Sequence, residues 1–172
     1  MVNDTDVKLS GFVATDSTDA VGMWARSLPG AVREAVLDAD LSRSFVFRQC
    51  AGVATSLSAL RRTVTTWAHR LDLGVYQADD IVLAVEEAAT NSIEHGYRDR
   101  SDQHPGTVSV LAWSCPTQRT VSLVVADEGT WRPPEAPGTR GRGLVLMRKV
   151  TDRFDLYTTG HGTVAFLRWA VR

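Results

Sequence analysis

Strand patterns in this sequence come in adjacent pairs, and this arrangement constrains the fold more than any other feature. The segments TVSVLAW and TVSLVVA follow each other across the short connection SCPTQR. The segments FDLYTT and TVAFLRW flank a second turn at residues 160–162. Short connections of this kind join antiparallel strands as hairpins. A sheet assembled from such hairpins is largely antiparallel.

Helical patterns are interleaved with these hairpins. Apolar residues recur every three or four positions between residues 53 and 71, and a second helical pattern covers residues 77–97. A shorter one follows residue 143. Helices in such an order pack as a layer on a sheet. The sequence therefore predicts an α+β fold, a two-layer sandwich whose mixed, mostly antiparallel sheet is covered by helices on one face.

Residues 1–43 differ from the remainder of the chain. They open with a polar stretch rich in Asp, Thr and Ser and continue into a helical pattern, whereas the strand patterns begin after residue 44. We predict an N-terminal arm over residues 1–43 and a single domain over residues 44–172. The helix of the arm either packs on the domain, binds a partner or a second copy, or marks a junction to another domain, and the sequence leaves these alternatives open.

Charge and composition exclude several classes of protein. The chain has 19 Lys and Arg against 20 Asp and Glu, a formal net charge of -1, whereas proteins that bind nucleic acids or anionic membranes through bulk electrostatics carry a basic excess. Its two cysteines form no CxxC pair. The apolar runs are far shorter than the ~20 residues of a membrane span, and no signal peptide pattern opens the chain. We expect a cytoplasmic protein with a localised site that binds neither nucleic acid nor membrane.

The polar face of the second helical pattern is the strongest functional signal. At about 100° per residue, Glu87, Asn91 and Glu94 fall in one sector, with His95 at its edge. The opposite side is apolar and consists of Val82, Val85, Ala89 and Ile93. A solvated face is the usual explanation, but Asn disfavours helix interiors. A carboxylate can take a proton from an attacking hydroxyl, and an amide oxygen one turn away is a hard ligand suited to Mg²⁺ that bridges phosphates.

Two further motifs fit nucleotide binding. Asp127 and Gly129 follow a strand, where the carboxylate can accept a hydrogen bond from an exocyclic amine and the glycine lets a flat ring approach; an ordinary Asp-x-Gly turn is the alternative. The Gly-Arg-Gly at residues 141–143 precedes a helix, whose N-terminal N–H groups can bind phosphate. Neither GxxxxGK[ST] nor GxGxxG is present.

The order of these motifs is more specific than any one of them. Glu-x-x-x-Asn on a helix, Asp-x-Gly after a strand, a glycine-rich loop entering a helix and Gly-Thr in the final hairpin resemble the N, G1, G2 and terminal Thr elements of the GHKL ATP-binding fold. Within that group the chain is similar to the anti-sigma factor serine/threonine kinases of bacterial partner-switching systems. The segments VEEAATNSIEHGY, GRGLVLMRKVTDRF and GHGTVAFLRW carry this resemblance, which covers residues 45–169.

The resemblance implies an ATP- and Mg²⁺-dependent protein serine kinase. Such a protein sequesters a sigma factor and phosphorylates a serine of an anti-anti-sigma protein, its antagonist, and the resemblance also implies a homodimer. Glu87 would be the base that activates the serine hydroxyl, and Asn91 would hold Mg²⁺ against the ATP phosphates. Glu86 is adjacent, but it points about 100° away from Glu87 on the helix.

The resemblance also assigns the remaining nucleotide contacts. His95 would line the phosphate end of the pocket, Asp127 would read the adenine amino group, Gly129 would give the ring room, and Thr163 would add a hydrogen bond near the base. The loop and helix start that close over the phosphates would comprise Arg140, Gly141, Arg142, Gly143 and Leu144.

Two other functions stay open at this stage. Trp131 stands where the G1 element commonly has a second glycine. A nucleotide-dependent module that sequesters its partner with little or no kinase activity is therefore the main alternative. The ATP-binding core of a histidine kinase, or another ATPase, is the disfavoured third alternative, because we find no pattern of a phospho-accepting helical domain before the motifs.

Overall fold

A six-stranded sheet organises the chain, and every strand pairing in it is antiparallel among the residues described. The computed structural model describes residues 12–14, 18–74, 76–97, 105–130 and 142–172. The strands are β1 (Phe12–Ala14), β2 (Phe45–Ala51), β3 (Thr107–Cys115), β4 (Thr120–Asp127), β5 (Arg153–Thr159) and β6 (Gly162–Ala170). Their order across the sheet is β1-β2-β3-β4-β6-β5. The two predicted hairpins, β3–β4 and β5–β6, are confirmed.

One pair of neighbouring strands in the sheet, β4 and β6, consists of strands that are not consecutive in the sequence. Strand β4 pairs with β6, so Asp127 at the end of β4 lies opposite Thr163 at the start of β6. Two residues predicted to contact the base are thus brought side by side by the sheet register.

Five α-helices accompany the sheet within the described residues. They are α1 (Thr18–Ala25), α2 (Gly30–Leu37), α3 (Ala54–Ala68), α4 (Gln77–Asn91) and α5 (Arg142–Val150). Helix α4 continues directly into a π-helical turn, Ser92–Gly96. The helix predicted over residues 77–97 is therefore α4 followed by this wider turn, in which a step of about 100° per residue no longer holds.

The first face of the sheet carries α3, α4 and α5. Their apolar stripes bury the side chains that alternate strand residues present on this face. The residues of α4 predicted to face the core do so: Val82, Val85 and Ala89 are buried, and Ile93 packs against the same cluster. This layer confirms the predicted α+β sandwich.

The second face carries α1 and α2, from the segment that the sequence analysis set apart as an arm. Trp24 of α1 lies against Phe47 of β2, with 5.1 Å between ring centroids. The buried residues of this cluster are Val21, Ala25, Leu28, Val32, Val36, Phe47, Leu111, Trp113, Val124, Ala126, Val164 and Phe166. The structure thus adds a second helical layer to the predicted one. A signal for it exists in the apolar run over residues 123–126 of β4, because strands buried on both faces lose the alternation of polar and apolar residues.

Among the helices of the described ranges, none combines the length and apolar character that a membrane crossing requires.

Candidate functional site

The first group of predicted residues meets where α4 packs on α5. A Cβ atom added at Gly143 would lie 2.5 Å from Glu87 Oε2 and 3.3 Å from Asn91 Nδ2. The backbone at the start of α5 therefore rests against both side chains, and any side chain larger than hydrogen at this position would displace them. The spacing Glu-x-x-x-Asn places both side chains on one helix face, as predicted, and the structure turns that face toward the beginning of α5.

The two adjacent glutamates have different surroundings. Glu86 Oε1 lies 3.1 Å from the Nε atom of Arg61 on α3, in an ion pair. Glu87 lies instead beside Gly143 at the start of α5. The carboxylate beside the start of α5 is thus that of Glu87, and its role as a base stays a prediction.

Asn91 carries a buried polar atom that the described chain leaves unsatisfied. Its Nδ2 atom is shielded from solvent and has no hydrogen-bond partner among the residues described. A buried donor without a partner costs about 1–3 kcal/mol. A phosphate oxygen would accept this hydrogen bond, and Oδ1 of the same amide is a ligand type suited to Mg²⁺. The side chain therefore fits a phosphate–metal group.

The N-terminus of α5 adds a second feature that favours anions. A helix of this length presents unpaired backbone N–H groups at its first turn, together with the positive end of its dipole. Gly143 in this turn is buried and has no side chain to block an approaching group. The carboxylate, the amide and the helix N-terminus together can bind a phosphate chain and place a proton acceptor beside it.

The second group forms around Asp127 at the end of β4. The side chain is 8% exposed, and its Oδ1 atom accepts hydrogen bonds from the backbone N–H groups of Gly129, at 2.9 Å, and Thr163, at 3.3 Å. Two backbone donors on one oxygen fix the orientation of the carboxylate. Thr163 thus contributes through its main chain, whereas the resemblance assigns it a hydrogen bond near the base.

Three glycines let the chain converge on this carboxylate. A Cβ atom at Gly96 would lie 3.2 Å from Asp127 Oδ1, and one at Gly129 would overlap the backbone of Gly96. Gly162 has a φ of +147°, and a Cβ there would overlap the carbonyl group of Asp127. The N–H of Thr130 donates to the carbonyl of Gly96 at 3.0 Å. The missing side chain at Gly129 is therefore needed for packing against the π-helical turn, in addition to any role beside a base.

Tyr97 is a residue of this region that the sequence analysis did not single out. It follows the π-helical turn, is 5% exposed, and uses its hydroxyl to donate to the carbonyl of Thr107 at 2.5 Å. The same hydroxyl accepts the backbone N–H of Glu128 at 2.7 Å. An aromatic residue at the end of the helical pattern over residues 77–97, shortly before the polar segment SDQHPG, was the available signal, since aromatic residues bury large surfaces.

Burial raises the pKa of Tyr97 to about 12, with the neighbouring charges of Asp127 and Glu128 adding to the effect. The folded state thus holds this proton more tightly than the unfolded state. The corresponding stability is present below the ordinary pKa near 10 and is lost as the pH rises toward 12. We expect the free energy of unfolding to fall over this interval more steeply in the wild type than in Tyr97→Phe, as measured by urea denaturation. Equal slopes in the two proteins would contradict this.

The two groups lie along one continuous stretch of helix. Asn91 ends α4, and Gly96 ends the π-helical turn of 5 residues that follows it. His95 lies in this turn and is half-buried, between the two groups along the chain, while Glu94 is exposed.

The remaining predicted residues divide into two sets. Leu144 is half-buried and packs against the apolar cluster of the first face, so the structure gives it a core contact. Arg140, Gly141, Trp131 and the side chain of Arg142 lie outside the described residues. Their proposed contacts stay predictions.

Comparison with known proteins agrees with this geometry. Residues 51–169 match the family model described as a histidine kinase-like ATPase domain. The chain belongs to this family. The match includes both residue groups and confirms the family inferred from the motifs, and membership of an ATPase family implies a nucleotide-binding site.

Two curated relatives of this chain are both named anti-sigma F factor. The chain is 38% identical over 105 residues to the anti-sigma F factor of Clostridium acetobutylicum, covering 61% of this chain and 64% of that protein. It is 31% identical over 106 residues to the anti-sigma F factor of Clostridium novyi (strain NT), covering 61% and 65%. The matched part thus spans less than two thirds of the length of these relatives.

Solved structures share the fold. A crystal structure of the RsbU and RsbW domains of a Mycobacterium tuberculosis protein matches with a TM-score of 0.61 and 21% identity, over 75% of this chain and 33% of that one. The histidine kinase domain of a blue-light activated kinase from Erythrobacter litoralis matches with a TM-score of 0.50 and 15% identity, over 90% and 75%. At these identities the likeness concerns the fold alone.

Proposed function

We propose that this chain is an ATP-dependent protein serine kinase of the anti-sigma type. It binds ATP with Mg²⁺, sequesters a sigma factor, and phosphorylates a serine of an anti-anti-sigma protein. The observation that carries the proposal is the meeting of Glu87, Asn91 and Gly143, which places a carboxylate and a buried, unsatisfied amide at the N-terminus of a helix.

The base end of the proposed site is built around Asp127. Its carboxylate accepts a hydrogen bond from the exocyclic amino group of adenine. Guanine has a carbonyl oxygen at that position, and uracil and thymine carry carbonyl oxygens, so these bases offer no matching donor. The backbone donors of Gly129 and Thr163 hold the carboxylate in one orientation. Because the carboxylate is already fixed in the free protein, nucleotide binding does not have to order this side chain, and the entropic cost of binding is smaller.

The phosphate end is built from α4 and α5. Asn91 would hold Mg²⁺ through Oδ1 and donate to a phosphate oxygen through Nδ2, and the N–H groups at the start of α5 would bind further phosphate oxygens. His95, Arg140, Gly141 and Arg142 belong to this end by the motif resemblance. Bound Mg²⁺ supplies positive charge that offsets the charge of the phosphate oxygens during transfer.

Glu87 is the proton acceptor in the proposed reaction. The serine Oγ of the antagonist forms a bond to the γ-phosphorus of ATP, the bond from that phosphorus to the bridging oxygen breaks, and ADP leaves with the electron pair. The serine proton passes to the Glu87 carboxylate. The contact with Gly143 limits the positions that this carboxylate can take.

The protein partners follow from the relatives rather than from the site geometry. Both curated relatives are named anti-sigma F factors, which supports a sigma factor as one partner. The antagonist, a homodimeric state and a cytoplasmic location are parts of the same proposal.

A thermal shift with Mg-ATP tests the nucleotide site. A ligand at 100 times its Kd stabilises by about 2.7 kcal/mol, which in a domain of this size raises Tm by roughly 5–10 °C. We expect this shift in the wild type and in Glu94→Ala, an exposed neighbour, and its loss in Asn91→Ala. No shift in the wild type at millimolar Mg-ATP would contradict the proposal.

Transfer of the γ-phosphate to a candidate antagonist tests the kinase activity. The labelled product should be a phosphoserine in the antagonist. If the chain captured a sigma factor in the presence of ATP yet transferred no label, the sequestering module would replace the kinase as the function.

A further inference from the structure

The Tyr97 ring fills a space that two glycines leave open. A Cβ atom on Gly52, just after β2, or on Gly106, just before β3, would overlap the ring. Gly106 also has a φ of +63°, and the N–H of Gly52 donates to its carbonyl at 3.0 Å. The ring therefore packs directly against the backbone of both glycines, which fixes the position of its hydroxyl.

The hydroxyl lies where the main-chain ladder between β3 and β4 ends. The last pair in that ladder is Val108 with Asp127. The next residues, Thr107 and Glu128, are joined through the tyrosine instead: the hydroxyl donates to the carbonyl of Thr107 and accepts the N–H of Glu128. A side chain thus extends the connection between the two strands by one residue pair, immediately beyond Asp127.

Together with this connection, contacts from several segments surround the Asp127 carboxylate. On one side, Gly129 and Thr163 donate to Oδ1. On the other, Gly96 lies against the carboxylate and accepts a hydrogen bond from the residue after Gly129. Tyr97 follows Gly96 directly in the chain. This dipeptide at the end of the helix therefore contacts both the Asp127 carboxylate, through Gly96, and the backbone after Asp127, through Tyr97.

We propose that Tyr97 is a positioning residue for recognition of the adenine base, holding the end of β4 so that the Asp127 carboxylate meets the exocyclic amino group. The inference rests on the proposed nucleotide site and adds a residue to which neither the motifs nor the comparisons assign a role. The hydroxyl is protonated across the physiological pH range, so it can donate to Thr107 while it accepts from Glu128.

Tyr97→Phe tests the inference, because it keeps the ring against the two glycines and removes only the hydroxyl. Affinities are measured by calorimetry for ATP and for inosine triphosphate, in which a carbonyl oxygen replaces the amino group. We expect the variant to bind ATP about five- to tenfold more weakly. Its affinity for inosine triphosphate should stay nearly unchanged, so the ratio between the two affinities falls. A role limited to stability would weaken both nucleotides alike.

A second variant approaches the same contact from the other side. Glu128→Pro deletes the N–H that the hydroxyl accepts and puts the proline ring against that oxygen, so it breaks the contact from the β4 side, and the extended backbone of Asp127 before it is compatible with proline. It should lower the same ratio, and it serves in place of Tyr97→Phe if that variant does not fold. Tyr157→Phe removes a tyrosine hydroxyl from β5 and is the matched control, with the ratio of the wild type.

The outcomes separate the two proposals. A wild-type protein that binds neither nucleotide overturns the proposed function and this inference together. A wild type that prefers ATP, with an unchanged ratio in Tyr97→Phe and Glu128→Pro, overturns the inference alone.

Discussion

Glu87→Gln is expected to lower the rate of phosphoryl transfer to the antagonist serine by about 10²–10⁴-fold, the usual contribution of a general base. Glutamine keeps the size of the side chain and its contact with Gly143, but its amide cannot take up the serine proton. Nucleotide affinity should change little, because the substitution leaves Asn91 and Asp127 intact. Single-turnover transfer of labelled phosphate, with Kd for ATP measured separately, distinguishes the two effects.

Glu86→Gln is the matched control for this experiment. It makes the same chemical change one residue earlier, where the carboxylate pairs with Arg61 on the surface of α3. Loss of such an exposed pair costs about 0–1 kcal/mol of stability, and the transfer rate should stay that of the wild type. An undiminished rate in Glu87→Gln, or an equal loss in both variants, would show that Glu87 is not the base.

Gly162→Ala is expected to destabilise the fold by about 2–6 kcal/mol. The φ of +147° is strained for alanine, which costs about 1–3 kcal/mol, and the new methyl group would overlap the Asp127 carbonyl, which adds about 1–3 kcal/mol of overpacking. Relief of this overlap has to move the end of β4, so nucleotide affinity should fall as well. Thermal unfolding should show a Tm lower by roughly 5–20 °C.

Gly160→Ala is the control within the same turn. A Cβ atom there would meet no other atom within 4 Å. Its Tm should lie close to that of the wild type, and an equal loss in both variants would mean that the turn, rather than the contact with Asp127, sets the stability of this region.

Local patterns predicted much of the fold. The hairpins follow from short polar connections between apolar runs, and the helices follow from apolar residues at three- and four-residue spacing. The choice of Glu87 over Glu86 also follows from spacing, because helix geometry fixes the side on which a residue four positions before Asn91 must lie. These features depend on residues that are close to one another in the sequence.

Features that depend on distant segments were not predictable in this way. The approach of Gly96, Gly129 and Gly162 to Asp127 requires β6 to lie beside β4, and no local pattern specifies that pairing. The π-helical turn changes the angular step after Asn91, so the helical wheel could not place His95. The roles assigned to the site residues stay predictions, as does the division between an arm over residues 1–43 and a domain over residues 44–172.

The helices on the second face have a mechanical consequence for the base end of the site. They bury Val124 and Ala126 of β4 and Val164 and Phe166 of β6, directly beside Asp127 and Thr163. With helices on the other face as well, both faces of these strands are packed, and bending them would break contacts on two sides at once. Packing on both faces of the sheet therefore fixes the position of the Asp127 carboxylate, and a nucleotide has to match that position.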